Sequence, residues 1–406
     1  SRLMTIFKNI ESLGPLEGKR VLVRADLNVP MAMNDEGERI VTDDTRIQSV
    51  TPTIKFLAEK GARVIVLSHF GRPLGIRNID LSMEPLGQPL ANSTRLPVSY
   101  INDCIGDEVL EVIDALENGS VLLLENVRFY KEEIKNDTNF ATELARNADL
   151  FINDAFSCCH RAHASTVGIA KILPSAAGFA LEKELLILEG ALEKPTHPLA
   201  ALVGGAKVSS KLDVLSHLVE KVDHLIIGGG MANTFLAAQK VNVGVSLCEH
   251  DLIEKASTIL AKALSNNCLI YLPTDVIVAK EFKENAQSRT TNTNDVQYDE
   301  MILDVGPDTV KTVCKGLEAC KTLIWNGPLG AFEISPFDTA TVAVALKAGE
   351  LTQSAGLISV AGGGDTIAAL NHAGIANQFS HISTAGGAFL EWMEGRKLPG
   401  VQVLLA

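Results

Sequence analysis

The chain has 406 residues, 46% apolar and 21% charged, with a formal net charge of −13; that is more than one hydrophobic core usually serves and suits two ordinary domains. The acidic balance argues against a general nucleic-acid binder, which would show a basic field, yet it leaves room for local arginine clusters. No apolar run approaches the roughly 18–20 residues of a membrane span, and "SRLMTIFKNIESLGPLEGKR" (1–20) holds no signal-peptide core, so a cytoplasmic protein is expected.

In chain order, strands are expected at "RVLVRADLN" (20–28), "ARVIVLSH" (62–69), "SVLLLENV" (120–127) and "LFINDAF" (150–156). A second series follows at "LAALVGG" (199–205), "HLIIGGG" (224–230), "CLIYLP" (268–273), "TLIWNGP" (322–328) and "LISVAGGGD" (357–365). These runs are nearly continuous in apolar residues, as parallel strands covered on both faces must be. Helical patterns lie between them, as at 49–60, 138–147 and 340–354, so the class is α/β with right-handed crossovers. Leu181, Leu185, Leu188 and Leu192 share one helical face between the two series. The stretch reads either as a long helix joining two domains or as one more crossover helix. Taken as a joint, it divides the chain into 1–180, a linker at 181–198, and 199–392: two doubly wound, Rossmann-like parallel-sheet domains on a hinge helix.

Ligands of open parallel sheets bind beyond the carboxyl ends of the strands. In the first series those ends deliver charge. Arg24, Asp26 and Asn28 alternate onto one side after the first strand, His69 and Arg72 follow the second, Arg128 the third, and His160, Arg161 and His163 the fourth, with Arg39 in a loop. A lone arginine is usually a solvated surface residue. Four successive strand ends bearing Arg or His suggest a pocket for a small polyanion, because arginine forks match phosphate and carboxylate. In the second series glycines follow instead: "GGAKVSSK" with Lys207 and Lys211, "GGGMANT", "NGPLGAFE" and "AGGGDTIAAL". Glycine lets backbone approach a ligand, and a helix start favours phosphate. Asp365 and Thr366 fit ordinary N-capping, or, for Asp365, a magnesium ligand beside a nucleotide. Neither G-x-x-x-x-G-K-[ST] nor a helix-opening G-x-G-x-x-G occurs, which counts against a P-loop site and against a doubly wound dehydrogenase. A polyanion pocket together with a nucleotide pocket suggests phosphoryl transfer between small molecules.

The segments "VLVRADLNVP", "LSHFGRP", "LLENVRFY", "NDAF..CHRAH.ST", "GGAKVSSK", "IWNGPLGAFE" with "AGGGDT", and "HIST.GGAFLE" resemble the phosphoglycerate kinase family in order and spacing, from about residue 5 to the C-terminus. The resemblance implies reversible phosphoryl transfer between 1,3-bisphosphoglycerate and ADP, giving 3-phosphoglycerate and ATP. It implies that Asp26, Asn28, Arg39, His69, Arg72, Arg128 and Arg161 bind the phosphoglycerate. Gly204, Ala206, Lys207, Lys211, Asn326, Glu333, Gly362, Gly363, Gly364, Asp365 and Thr366 would take the Mg²⁺ nucleotide, with Asp365 on the metal and Glu333 on the ribose. Arg39, Lys207, Lys211, Gly386 and Gly387 would act on the transferred group. The resemblance further implies a monomer, a tail at 393–406 packed on the first domain, in-line transfer without a general base, and hinge closure beforehand.

The chain departs from the family at three places. Ser157, Cys158 and Cys159 stand where small residues are usual, Ala385 interrupts a glycine run, and the loop after "GRP" lacks its lysine-rich form. The seven cysteines contain no C-x-x-C and read as reduced thiols. Adjacent Cys158 and Cys159 suit neither a zinc framework nor a disulfide. They are inert fillers or thiols close enough to the pocket for alkylation to block it.

Overall fold

The computed structural model describes residues 7–406; the expected lack of a signal-peptide core concerns in part residues outside that range. The chain divides into two compact units, Ser1–Leu186 with Lys397–Ala406, and Ile187–Arg396. Among the described residues no helix is long and apolar enough to cross a membrane.

The first unit contains β1 (Arg20–Arg24), β2 (Met31–Met33), β3 (Arg39–Val41), β4 (Arg63–Leu67), β5 (Val98–Tyr100), β6 (Val121–Leu123), β7 (Leu150–Asn153) and β8 (Ser175–Ala177). Six of them form a parallel sheet in the order β5-β6-β4-β1-β7-β8, while β2 and β3 pair as an antiparallel ribbon. Successive residues of β1 feed opposite cores, as the two-residue period of a strand requires. Val21 and Val23 pack with Ile54 and Leu57 of the helix Thr45–Glu59. Leu22 packs on the other face with Phe140 and Leu144 of the helix Thr138–Ala145. Each such burial contributes about 1.5–3 kcal/mol relative to exposure, which is why the strand carries only apolar residues between Arg20 and Arg24.

The second unit contains β9 (Leu199–Val203), β10 (His224–Ile227), β11 (Leu269–Tyr271), β12 (Asp275–Ala279), β13 (Ser288–Asn292), β14 (Met301–Val305), β15 (Thr322–Asn326), β16 (Ile358–Gly362) and β17 (His381–Ser383). Its parallel sheet runs β11-β10-β9-β15-β16-β17, and a separate antiparallel sheet runs β13-β12-β14. Two parallel-sheet α/β units are therefore present. The winding reverses between β1 and β7 in the first and between β9 and β15 in the second. Such reversals open a crevice at the carboxyl ends of the strands, where ligands bind.

Four expectations need correction. The strands are shorter than the apolar runs: "LFINDAF" is strand only to Asn153, because Phe156–Cys158 turns as a 3₁₀ segment. The short strands β5, β8 and β17 and the whole antiparallel sheet escape an apolar-run reading; β13 is "SRTTN", four of its five residues exposed. The joint is not one regular helix over 181–198. An α-helix covers Phe179–Leu188, a wider turn covers Glu189–Glu193, and the unit boundary falls at Leu186/Ile187. The C-terminal segment belonging to the first unit begins at Lys397, since Met393 ends a helix of the second. There Gly400 N–H donates to the Cys159 carbonyl at 2.8 Å and Lys8 N–H to the Leu404 carbonyl at 2.8 Å.

Candidate functional site

In the first unit, the loops after β1, β4, β6 and β7 meet at the reversal point. Asp26 is held from two sides: Ser157 Oγ donates to Oδ2 at 2.5 Å and Arg46 Nη1 approaches Oδ1 at 3.3 Å. Asn28 Oδ1 accepts the Gly71 N–H at 3.1 Å, and Arg128 Nη1 donates to the Gly71 carbonyl at 3.2 Å, so three loops are stitched together. Arg128 is half-buried, and its Nε has no partner among the described residues. Arg39 reaches in from the ribbon, its guanidinium 4.9 Å from the Phe70 ring centre and bonded to the Ser82 carbonyl at 3.0 Å. Burial lowers the pKa of both Arg39 and Arg128, as expected for cations that lack water or a full anionic shell.

His69 is buried, and Arg24 Nη2 lies 3.0 Å from its Nδ1. A guanidinium can only donate, so Nδ1 accepts and the ring proton sits on Nε2. Burial, then the charges of Arg24, Arg128 and Arg46, hold the His69 pKa well below the ordinary range. His163 is pushed down to about 4, by burial first and Arg128 next. Both imidazoles are thus neutral donors in a cationic field. Arg24 itself does not join the ligand-facing side with Asp26 and Asn28. It is fully buried, 3.8 Å from Glu133 and bonded to Ser165 Oγ at 2.9 Å, because β1 ends there and its side chain points into the core. Arg72 and Arg161 are exposed at the rim, Arg161 beside His163. Arg46, in the first turn of its helix, was not singled out from the sequence; the only signal was its place in the "TDDTR" loop beside Arg39.

Cys158 Sγ lies 4.0 Å from His69 Nδ1 and Cys159 packs beneath the C-terminal segment, where a Cβ on Gly400 would sit 2.7 Å from the Cys159 Cα. Both are free thiols whose pKa burial raises. They pack the loop that carries Ser157, and neither is activated as a thiolate.

In the second unit, a cavity of about 710 Å³ opens at the β9/β15 reversal, within the range of small-molecule sites. Val245, Leu247, Met301 and Leu303 line an apolar part suited to a flat base, while Ala206, Glu333 and Asp365 also reach it. The glycines act through close approach. A Cβ on Gly204 would lie 1.9 Å from the Pro328 carbonyl oxygen, and one on Gly229, at φ +72°, 2.5 Å from the Gly205 carbonyl oxygen. Asn326 anchors the floor: it bonds Lys211 Nζ through Oδ1 and donates from Nδ2 to the Gly362 carbonyl at 2.8 Å. Burial lowers the Lys211 pKa, and the charges of Asp365 and then Glu394 act against that shift. The helix Gly364–His372 starts here with Gly363 at its cap and no side-chain cap bond. Ordinary N-capping therefore does not account for Asp365 or Thr366; Thr366 Oγ1 instead accepts the Gly327 N–H at 2.6 Å. Lys207 is exposed beside these loops, and Gly386 (φ +55°) and Gly387 open the short helix Gly387–Met393. Ala385 is not at positive φ, so its backbone makes no demand for glycine.

Among the described residues no three metal-ligating side chains cluster. Asp365 at the cavity wall, outside any cluster of three metal-ligating side chains, suits magnesium held by one protein oxygen and substrate phosphates, and does not suit an all-protein cage. Asp304 also lines the cavity, 2% exposed, accepting N–H bonds from Val305 at 2.9 Å and Ala340 at 3.1 Å; burial pushes its carboxyl up to about 8.

A family model described as phosphoglycerate kinase matches residues 10–396. The phosphoglycerate kinase of Zymomonas mobilis is 60% identical over 400 residues, covering 98% of this chain and all of the relative. That of Rhizorhabdus wittichii is 58% identical over the same share of each chain. The solved structure of phosphoglycerate kinase from Coxiella burnetii superposes with a TM-score of 0.90 at 42% identity, covering 98% of both chains.

Proposed function

As the chain belongs to the phosphoglycerate kinase family and has its glycolytic activity, reversible phosphoryl transfer between 1,3-bisphosphoglycerate and ADP, we propose how its own residues divide that reaction. The first unit takes the phosphoglycerate. His69 Nε2–H, Arg72, Arg128 and Arg161 bind its anionic groups, with the unpartnered Arg128 Nε available to a ligand oxygen. Asp26, fixed by Ser157 and Arg46, and Asn28, fixed by Gly71, orient the substrate's neutral polar groups. The second unit takes the nucleotide: the base against the apolar wall, the ribose at Glu333, and the phosphates over Gly204, Ala206 and Gly362–Thr366, with Lys211 held by Asn326.

Mg²⁺, when bound through Asp365 and the nucleotide phosphates, supplies charge neutralisation. Arg39 and Lys207 stabilise the moving phosphoryl group, with Lys211 and the N–H groups of Gly386 and Gly387 as further donors. No base is needed, since the attacking oxygen is already anionic in both directions, a phosphate of ADP or the carboxylate of 3-phosphoglycerate. The two ligands belong to different units, so transfer requires them to be brought in line with water excluded. The helix Phe179–Leu188, which spans the unit boundary, is the proposed hinge. Action as a cytoplasmic monomer is part of the proposal and rests on the resemblance.

The observation that carries this reading is His69: buried, neutral and with its proton directed to Nε2 by Arg24, it is a donor to an anion and not a base. The test is acyl-phosphate formation by the purified protein from 3-phosphoglycerate and Mg-ATP, read through a coupled dehydrogenase. Steady turnover is expected; its absence in folded protein would overturn the assignment.

A further inference from the structure

The segment "LLENVRFY" carries two polar residues that the ligand sites leave unused, Glu125 and Asn126, just beyond β6. They are 3% and 0% exposed, so their polar atoms must be bonded within the protein. Glu125 Oε1 accepts the Met83 N–H at 2.7 Å and the Asn126 N–H at 2.9 Å. Its Oε2 accepts the Ser82 hydroxyl at 2.7 Å and the Tyr100 hydroxyl. Asn126 Nδ2 donates to the carbonyls of Phe70 at 2.7 Å and Leu81 at 3.0 Å, and its Oδ1 accepts the Phe70 N–H at 3.2 Å.

Ser82 and Phe70 are also what Arg39 touches. Its Nη1 donates to the Ser82 carbonyl at 3.0 Å, its guanidinium lies 4.9 Å from the Phe70 ring centre, and its Nη2 lies 3.5 Å from Met31 Sδ. A carbonyl, a ring face and a thioether place the cation without neutralising it, and among the described residues Arg39 makes no ion pair. The Ser82 carbonyl and the Met83 N–H belong to one trans peptide unit, which is planar and turns as a single body. Glu125 therefore holds one edge of that peptide while its opposite edge holds Arg39. A carboxylate has about four acceptor sites, and here four donors take them, so Glu125 acts on Arg39 through the peptide and not as its ion-pair partner. Bonding the N–H to a carboxylate also polarises the peptide and strengthens its carbonyl as an acceptor.

We propose that Glu125 is a positioning residue for Arg39, aiming the guanidinium through the Ser82–Met83 peptide and leaving its charge for the transferred phosphoryl group. The inference rests on the reading that Arg39 acts on that group.

The test is initial-rate kinetics and 3-phosphoglycerate titration of Glu125→Gln, Arg39→Ala and the double variant. Glutamine keeps the size but turns one acceptor into a donor. Glu125→Gln should lower kcat by about tenfold, as a misaimed group does, and leave 3-phosphoglycerate affinity within about twofold, which also shows that the first unit is folded. In the Arg39→Ala background the same change should cost less than about twofold, because the group it positions is gone. Tyr100→Phe, which removes one of the four bonds, should cost about threefold with Arg39 present and nothing without it. Normal kcat in Glu125→Gln, or equal fold losses with and without Arg39 for either variant, would overturn the proposal while leaving the role of Arg39 standing. Normal kcat in Arg39→Ala would overturn that role and this proposal with it.

Discussion

In the proposed function the first unit would meet its ligand with side chains: Arg39 projects from the β2–β3 ribbon, and Arg128 and His69 from loops that hydrogen bonds through Asn28 and Gly71 hold in place. The second would meet its ligand with backbone: Gly204, Gly229 and Gly363 lie so close to neighbouring protein atoms that a Cβ would collide, and Asn326 ties the loops below. Both sit at the winding reversal of a six-stranded parallel sheet. The difference follows from the guests. A small polyanion offers little surface, so affinity comes from charge-assisted bonds that need long cationic arms. A nucleotide offers a flat base and a phosphate chain, which an apolar wall and exposed N–H groups can grip.

Four substitutions probe that contrast, from largest effect to smallest. Arg39→Ala should lower kcat by about 10²–10³ with little change in KM, since its charge acts on the transferring group; initial-rate kinetics read this, and a pure KM effect would remove Arg39 from that role. Gly204→Ala should destabilise the second unit by about 1–3 kcal/mol or more through collision with the Pro328 carbonyl. Mg-ADP affinity should fall with it while 3-phosphoglycerate affinity stands, as melting curves and titrations would show.

The units share one acid–base feature outside the chemistry. Burial raises Asp154, which caps the helix Phe179–Leu188 through the Ala180 and Leu181 N–H groups, from 3.8 to about 7. Asp304 is raised from 3.8 to about 8 in the second unit. The folded state therefore binds these protons more tightly than the unfolded chain. The stabilisation they give is complete below about pH 4 and is lost as pH rises to about 7 for Asp154 and about 8 for Asp304. Asp154→Asn should flatten the decline over the first window in denaturant melts, leaving the contribution of Asp304; an unchanged profile would contradict the burial argument. Ala385→Gly should alter kcat/KM by less than about twofold, because the backbone at 385 is not in a glycine conformation.

Much of this contrast was legible in the sequence, because apolar runs marked the central strands and the charged or glycine-rich stretch after each run is what the fold gathers at the winding reversals. Arg24 misled for the same reason: alternation placed it with Asp26 and Asn28, but the buried Glu133 that claims it comes from a loop more than a hundred residues on. Arg46 was missed because a first-turn arginine looks like surface until Asp26 is brought to it. The antiparallel sheet was missed because "SRTTN" carries no apolar alternation and is held by pairing with β12. The apolar wall of the second unit's cavity, from Leu247 to Leu303, has no local signature, since it assembles from segments whose individual reading is ordinary core.

The central claim, that each ligand is held by its own unit in its own way, is tested most directly by titrating 3-phosphoglycerate and Mg-ADP into Arg128→Ala and Lys211→Ala proteins. Arg128→Ala should lose tenfold or more in 3-phosphoglycerate affinity, about 1.4 kcal/mol or more, and keep its Mg-ADP affinity; Lys211→Ala should do the reverse. Equal losses for both ligands in either variant would contradict the account.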